Sequence, residues 1–325
     1  MPFQNSPNIC PVCLKKSSFK FIKDYQSKEG KFSLYECSKC NVQFWLPFQN
    51  PGANWYENQE RYKRYETQPP ELHAGYHKGF LRSSPVFPKN TRVLDLGCGT
   101  GVFIAELQKR GYEVWGVDFN KKAIEAAKNY YGLKNVYAMS FDNFFKLPDL
   151  PQFEIITFFE VIEHLDDPLE FIQKSAKLLE PNGRIILSIP SRERIMSNVV
   201  KWDFPPNHLT RWSEKMIKKL LQEINFEVIS VSYVDSFRVI CETLAGKSIG
   251  LMIKTEKLLR VNKQNKNNIK MNFIKLINTP LAYLKNYIFP GIPASFLWFI
   301  SKILRIKNGI IVIEFTPKYD RGKII

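Results

Sequence analysis

The chain has 325 residues, 44% of them hydrophobic, 24% charged and 14% aromatic, which excludes a disordered, collagenous or disulfide-scaffold protein. Its formal charge of +16 is uneven: residues 246–325 hold 15 Lys/Arg against 3 Asp/Glu, so the basic excess belongs to the C-terminal part. Met1 to Pro11 lacks a charged segment followed by an apolar core, so we expect no export signal and a cytoplasmic location. The longest uncharged stretch of the apolar tail, Asn286 to Ser301, is 16 residues long and carries Pro290 and Pro293, short of the roughly 20 residues a membrane-spanning helix needs.

Six cysteines divide into two C-x-x-C pairs, Cys10/Cys13 and Cys37/Cys40, and two single residues, Cys98 and Cys241. Two such turns aim four thiolates at one point, the tetrahedral shell of a structural zinc ion, with a redox dithiol as the alternative. Phe19, Phe21, Ile22 and Phe32, Leu34, Tyr35 flank a turn at Lys28 to Gly30 and read as ribbon strands. From Leu46 to Glu71 the composition turns to Pro, Asn, Gln and Tyr, with Trp55, Tyr56, Tyr62, Tyr65 and Pro69-Pro70. This is a linker with aromatic anchors, expected as a strap on the next domain rather than a lid.

Arg92 to Leu96 is a short β run entering Gly97-Cys98-Gly99-Thr100-Gly101, and an apolar-periodic helix follows with Val102, Phe103, Ala105 and Leu107. A strand, a glycine turn and a helix start let backbone approach a ligand closely and leave N–H groups free. The spacing G-x-G-x-G puts Val102 where the dinucleotide fingerprint has its last glycine, which disfavours nicotinamide and flavin cofactors. Glu113 to Val117 makes a second strand ending in Asp118, whose carboxylate can accept both hydroxyls of a ribose, and Phe119 offers a flat face to adenine. The alternative for Asp118 is a helix N-cap.

VLDLGCGTG at 93–101, GVDFN at 116–120, FEIITFFEVIEHLDDP at 153–168 and LLEPNGRIILSIPS at 178–191 together resemble the class I S-adenosylmethionine-dependent methyltransferase family over roughly residues 75–235. The resemblance implies an α/β fold: a seven-stranded doubly wound Rossmann-like sheet with a reversed last strand. It also implies a cofactor set of Asp95, Gly97, Cys98, Gly99, Gly101, Asp118, Phe119, Asp142 and Phe159. Asp95 would orient the cofactor amino group. Asp142 would accept from the adenine amine, with Ser140 or Asn143 as alternatives, because the family's Gly-Asp is Phe141-Asp142 here.

The fourth strand, Phe153 to Phe159, is apolar on both faces and thus central, and its exit carries Glu160, Glu163 and His164. With His208, this E-x-x-E-H resembles the metal site of small-RNA 2′-O and ubiquinone-pathway O-methyltransferases, where Mg²⁺ or Mn²⁺ would lower the pKa of a hydroxyl. The competing readings are His164 as general base, and a structural one in which Glu163 and Asp166 cap the helix near Pro168 while His164 bonds to backbone. Phe158-Phe159-Glu160-Val161 replaces the N-P-P-Y of amine methylases, which favours oxygen, and more weakly carbon, as acceptor. Trp202, Phe204, His208, Arg211 and Trp212 either bind a sugar or aromatic ring or pack onto the following helix.

Phe226 to Val234 fits a sixth strand and Gly309 to Phe315 a last one, stopped by Pro317. Between them, residues 254–306 are basic and aromatic, and read as a membrane-surface element, a helical cap or an RNA-binding patch. The expected organisation is a zinc ribbon (1–45), an aromatic linker (46–74), a methyltransferase core (75–245), a basic apolar helical insertion (246–308) and a last strand with tail (309–325). The expected function is cytoplasmic O-methylation of a sugar, glycan intermediate or lipid-linked small molecule, with peripheral contact at the inner membrane face. RNA ribose methylation and a non-catalytic scaffold are the alternatives.

Overall fold

The computed structural model describes residues 8–58, 77, 80–81, 87–194, 197–198, 201–234, 309–320 and 323–324. The expected basic insertion, Cys241 and most of the linker, including Tyr62, Tyr65 and Pro69-Pro70, lie outside them. One compact unit comprises Met1–Arg192, Trp202–Val234 and Ile310–Ile325, and a second comprises Glu193–Lys201 and Asp235–Gly309.

Seven strands form the main sheet of the first unit: β4 (Arg92–Leu96), β5 (Glu113–Asp118), β6 (Val136–Ala138), β7 (Phe153–Phe159), β8 (Leu179–Pro190), β10 (Phe226–Val234) and β11 (Ile310–Pro317). Their order is β10-β11-β8-β7-β4-β5-β6. All neighbours from β8 to β6 run parallel, while β11 runs antiparallel to both β8 and β10. The expected fold and its reversed strand are therefore present, and β7 and β4 lie centrally with helices available to both faces. In β7, Ile155 to Phe159 are buried one after another, so both faces are covered and the strand is a continuous apolar run, whereas edge-ward β11 alternates, with Ile311, Ile313 and Phe315 inward.

The helices follow their sequence signals. Helix Val102–Lys109 starts at Gly101 in the left-handed conformation and buries Phe103, Ile104 and Leu107. Helix Lys121–Tyr131 is capped by the Asn120 side chain, which accepts from Ala123 N–H, and ends at left-handed Gly132. Asn120, not Asp118, is the cap, which leaves the Asp118 carboxylate to other duties.

The ribbon is an antiparallel hairpin, β1 (Phe19–Gln26) on β2 (Lys31–Cys37), joined by β3 (Gln43–Leu46). A fourth strand completes it from far away: β9, only Thr210–Arg211, pairs Gln43 with Arg211 and Phe44 with Thr210. Alternation along β3 puts Phe44 in the apolar cluster that contains Leu94, Ile156 and Leu187, and Trp45 in a second cluster with Phe32 and Leu34, flanked by Tyr25 and Phe204. Both side chains are completely buried. A lone two-stranded hairpin is marginal in water, so β9 and the packing of Phe44 give the ribbon its second source of stability beside the cysteines.

Candidate active site

The glycine turn between β4 and the first core helix has all three glycines at positive φ: 81° for Gly97, 53° for Gly99 and 70° for Gly101. A Cβ on Gly97 would stand 2.6 Å from Val161 and one on Gly101 2.6 Å from Leu133, so both are needed for packing as well as conformation. Gly99 is different, because nothing lies within 4 Å of its would-be Cβ, and this is the open face a ligand can approach. Cys98 is buried, its Sγ against Gly116, with burial pushing its thiol well up. Only its backbone is left to face a ligand.

Asp118 holds the turn from the end of β5. Its Oδ2 accepts from Gly99 N–H at 2.9 Å and its Oδ1 from Asn120 N–H at 2.8 Å. A carboxylate oxygen can accept more than one bond, so both can also take a ligand hydroxyl. Asp95 sits beside it on β4, 3% exposed, and its Oδ1 accepts from the Thr157 hydroxyl at 2.6 Å. Burial pushes the Asp95 carboxyl up to about 7, the Asp118 charge adds to this, and the Thr157 bond opposes it. A ligand ammonium placed here would restore the ionised form. Phe119 is 41% exposed, and Phe159 packs edge-on against Phe103 at 5.1 Å. Asp142 stands on the short helix Phe141–Phe145, with Oδ1 ion-paired to Lys174 at 2.7 Å, while Ser140 caps that helix through Asn143 N–H.

The exit of β7 builds the second half of the site. Glu160 is held at φ 55°, a strained value for a residue with a side chain. It is tied to β8 twice, its N–H donating to Ser188 O at 3.0 Å and its Oε1 accepting from the Ser188 hydroxyl at 3.1 Å. The turn Ile162–His164 then presents Glu163, 1% exposed, and His164. His164 Nδ1 lies 2.6 Å from Asn207 O. A carbonyl can only accept, so Nδ1 carries the proton and Nε2 the lone pair. That Nε2 lies 4.0 Å from Glu163 Oε1, and the His208 ring stands edge-on to His164 at 4.7 Å. His208 in turn has Nδ1 3.9 Å from Asp203 Oδ1.

Glu163, His164 and His208 therefore present ligand atoms within 4.8 Å of one another, whereas Glu160 is engaged with Ser188 outside this group. The helix Pro168–Ala176 has Asp167 as its N-cap without a side-chain bond, so neither Glu163 nor Asp166 caps it. The other half of the structural reading is present: His164 bonds to backbone, its Nδ1 against Asn207 O.

Hydrogen bonds hold the His208 loop on both sides. Leu209 N–H donates to Glu163 O at 2.7 Å, and Leu209 O accepts from Trp45 N–H of the ribbon at 2.9 Å. Within Trp202–Trp212, Trp212 is wholly buried with Nε1 donating to Thr210, Phe204 packs on Tyr25, and Trp202 is 54% exposed. The linker also reaches this site. Asn50 Nδ2 donates to His164 O at 2.7 Å, and buried Tyr56 places its ring 5.2 Å from Phe119 and its hydroxyl 3.3 Å from His164 Nδ1.

Far along the ribbon, the four expected cysteines converge: Cys10 and Cys40 Sγ are 3.8 Å apart, Cys13 and Cys37 Sγ 4.0 Å. These are edge lengths of a tetrahedron with metal–sulfur bonds of about 2.3 Å. Val12 N–H donates to Cys10 Sγ and Lys39 N–H to Cys37 Sγ, and Leu14 and Asn41 follow the two knuckles at φ 57° and 60°. Hydrogen bonds from Cys10 and then Cys40 hold Cys13 far below the usual thiol range. The cluster fits a small structural zinc site.

Sequence reasoning overlooked Thr157, Asn207 and the reach of Tyr56. Thr157 had a signal, as the one hydroxyl inside the apolar run Phe153–Phe159. Asn207 had none, since it contributes a backbone carbonyl.

The methyltransferase-domain family matches residues 68–231, half of the chain. A ubiquinone biosynthesis O-methyltransferase of Vibrio cholerae is 29% identical over 149 residues, 45% of this chain and 58% of that protein. A protein of the same name from Coxiella burnetii is 36% identical over 106 residues, 32% of this chain and 45% of its own length. The chain thus spans about half the length of the curated relatives it matches. Among solved structures, the cyclase SpnF has a TM-score of 0.50 at 14% identity, over 81% of this chain and 93% of that one, a likeness of fold alone. A match over half the sequence, on a sheet of this order with this reversed strand, makes the chain a member of the class I S-adenosylmethionine-dependent methyltransferase family.

Proposed function

We propose that the chain is an O-methyltransferase that uses S-adenosylmethionine to methylate a hydroxyl of a sugar, glycan intermediate or lipid-linked small molecule. The observation that carries this reading is the position of His164. Its Nε2 lone pair is presented at the exit of the strand next to the one bearing Asp95, with Nδ1 fixed by Asn207 O.

The residues on the cofactor side fit that cofactor: a buried carboxylate, Asp95, suited to an ammonium, an open Gly99, and two Asp118 oxygens that can each accept from a ribose hydroxyl. Bound there, S-adenosylmethionine supplies the methyl group. His164 Nε2 takes the acceptor hydroxyl proton, and Glu163, 4.0 Å away, offsets the positive charge that the imidazole gains. Tyr56 and Asn50 hold the His164 turn against the linker. Positioning the acceptor oxygen supplies much of the acceleration expected of such a transfer.

Glu163, His164 and His208 also suit a divalent cation as donors, because an Nδ1 bond to a carbonyl is the usual outer support of a metal-ligating histidine. Mg²⁺ or Mn²⁺ there would lower the pKa of the acceptor hydroxyl. The basic aromatic stretch 254–306 supports peripheral contact with an anionic membrane face on the cytoplasmic side. No helix among the described residues is long and apolar enough to cross a membrane.

The test is incubation with methyl-labelled S-adenosylmethionine and fractionated cell extract, with and without EDTA, while zinc content is monitored. Label in the glycan or lipid pool is the expected result. Label in RNA would transfer the proposal to a ribose hydroxyl, and absence of cofactor binding would leave a scaffold. Loss of label with EDTA at unchanged zinc content would select the divalent cation over His164 acting as base alone.

A further inference from the structure

Next to His208 lies a small, half-open cleft lined by Arg192, Arg211, Asp203, Thr210 and His208 with Pro190 and Ser191. Its polar groups are mostly donors. Arg192 gives Nη1 to Glu36 Oε2 and Asn41 O, both at 3.0 Å, and its Nε and Nη2 carry no hydrogen bond among the described residues. The Thr210 hydroxyl accepts from Trp212 Nε1 at 2.8 Å, so its proton remains available for donation. Arg211 is only 9% exposed, yet it lines the cleft. Its charge is also felt by Lys23, whose ammonium is pushed down by burial first and by Arg211 second. Against these cations stand Asp203, 3.9 Å from His208 Nδ1, and Glu36, which offsets part of the Arg192 charge.

The floor is rigid. Arg192 N–H donates to Trp212 O at 2.7 Å, Ser191 bridges Trp212, and Arg211 is paired with Gln43 of the ribbon. Two guanidinium groups and a hydroxyl proton around one small space suit a planar or tetrahedral oxyanion. His208 borders both this cleft and the cluster with Glu163 and His164.

We propose that the cleft is a binding subsite for a carboxylate or phosphate on the acceptor, held by Arg192 and Arg211. Its use as an acceptor subsite rests on the methyltransferase reading, whereas anion binding itself does not. The ribbon is then part of substrate recognition, since Glu36 and Asn41 aim one arginine and Gln43 fixes the other in register.

The experiment is titration calorimetry of the full chain with inorganic phosphate and with D-glucuronate, plus flotation with phosphatidylcholine vesicles with and without phosphatidic acid. Arg192→Gln and Arg211→Gln are measured beside the unaltered chain. S-adenosylhomocysteine affinity and zinc content serve as folding controls. Soluble anions should bind, with each substitution weakening them about tenfold or more and the controls unchanged. Binding confined to phosphatidic acid vesicles and lost in the same variants would assign the site to a lipid phosphate. Anion binding equal in all three proteins, or none in any arm, would overturn the proposal. Should Arg211→Gln lose zinc, Arg192→Gln, whose side chain is 19% exposed, carries the test alone. Failure of S-adenosylhomocysteine to bind the unaltered chain would instead count against the methyltransferase reading.

Discussion

The cofactor side and the acceptor side of this site are built in opposite ways. Asp95, the three glycines, Asp118 and Phe119 come from one strand–turn–helix–strand stretch, and Asp118 closes the turn by bonding Gly99 and Asn120. The acceptor side collects Tyr56 and Asn50 from the linker, Glu163 and His164 from the exit of β7, and Asn207 and His208 from a loop stitched to Trp45 of the ribbon. A site made of sequence neighbours depends on local turn geometry. One made of distant segments depends on everything that brings them together, the cysteine cluster included.

The largest expected effect falls on the acceptor side alone. His164→Ala should lower kcat by about 10²- to 10⁴-fold, the usual contribution of a positioned base, with S-adenosylhomocysteine affinity unchanged by calorimetry. A parallel loss of that affinity would mean the two halves are not separable. Next, Cys37→Ser combined with Cys40→Ser should abolish zinc in metal analysis. Turnover should drop about 100-fold, as when the supports of a site are removed, because β3 no longer holds Leu209. Cofactor affinity that fell equally would break the comparison.

Asp118→Ala does the reverse. It should weaken cofactor binding by about 10- to 100-fold, through loss of charge-assisted bonds, without altering zinc content. A smaller effect comes from pH. The Asp95 carboxyl is raised to about 7 in the folded chain without ligand, so a cationic cofactor must displace its proton at lower pH. Affinity should rise about tenfold per unit as pH increases toward 7 and level off above it. Flat affinity between pH 5 and 7 would remove Asp95 as the ammonium partner. Tyr56→Phe is the mildest case: the ring on Phe119 stays and only the hydroxyl near His164 is lost. A change of about 2- to 10-fold in kcat with unchanged cofactor affinity would place that hydroxyl on the acceptor side.

The glycine turn, Asp118, the central strand Phe153–Phe159 and the paired cysteines were legible because each is a local pattern with a single physical meaning. Glu160 was legible as a carboxylate at a strand exit, but neither its bond from Ser188 on the next strand nor its place outside the Glu163/His164/His208 group was. The fourth ribbon strand was not legible. Thr210–Arg211 is two residues long, too short to show a period of two, and its partner Gln43–Leu46 lies over 160 residues earlier. The roles of Trp202–Trp212 divided for the same reason: which aromatic faces solvent and which fills the core depends on what packs against the segment.

Sequence alone determined the family resemblance, the sheet type, the glycine turn and the four-sulfur cluster, since these rest on backbone conformation and on chemistry held within a few residues. Tertiary structure alone decided that the ribbon is sewn to the His208 loop, that His164 carries its proton on Nδ1, and that Arg192 and Arg211 share a cleft. Those facts depend on which distant segments meet, and burial of Phe44 and Trp45 on opposite faces of one strand is what makes them meet.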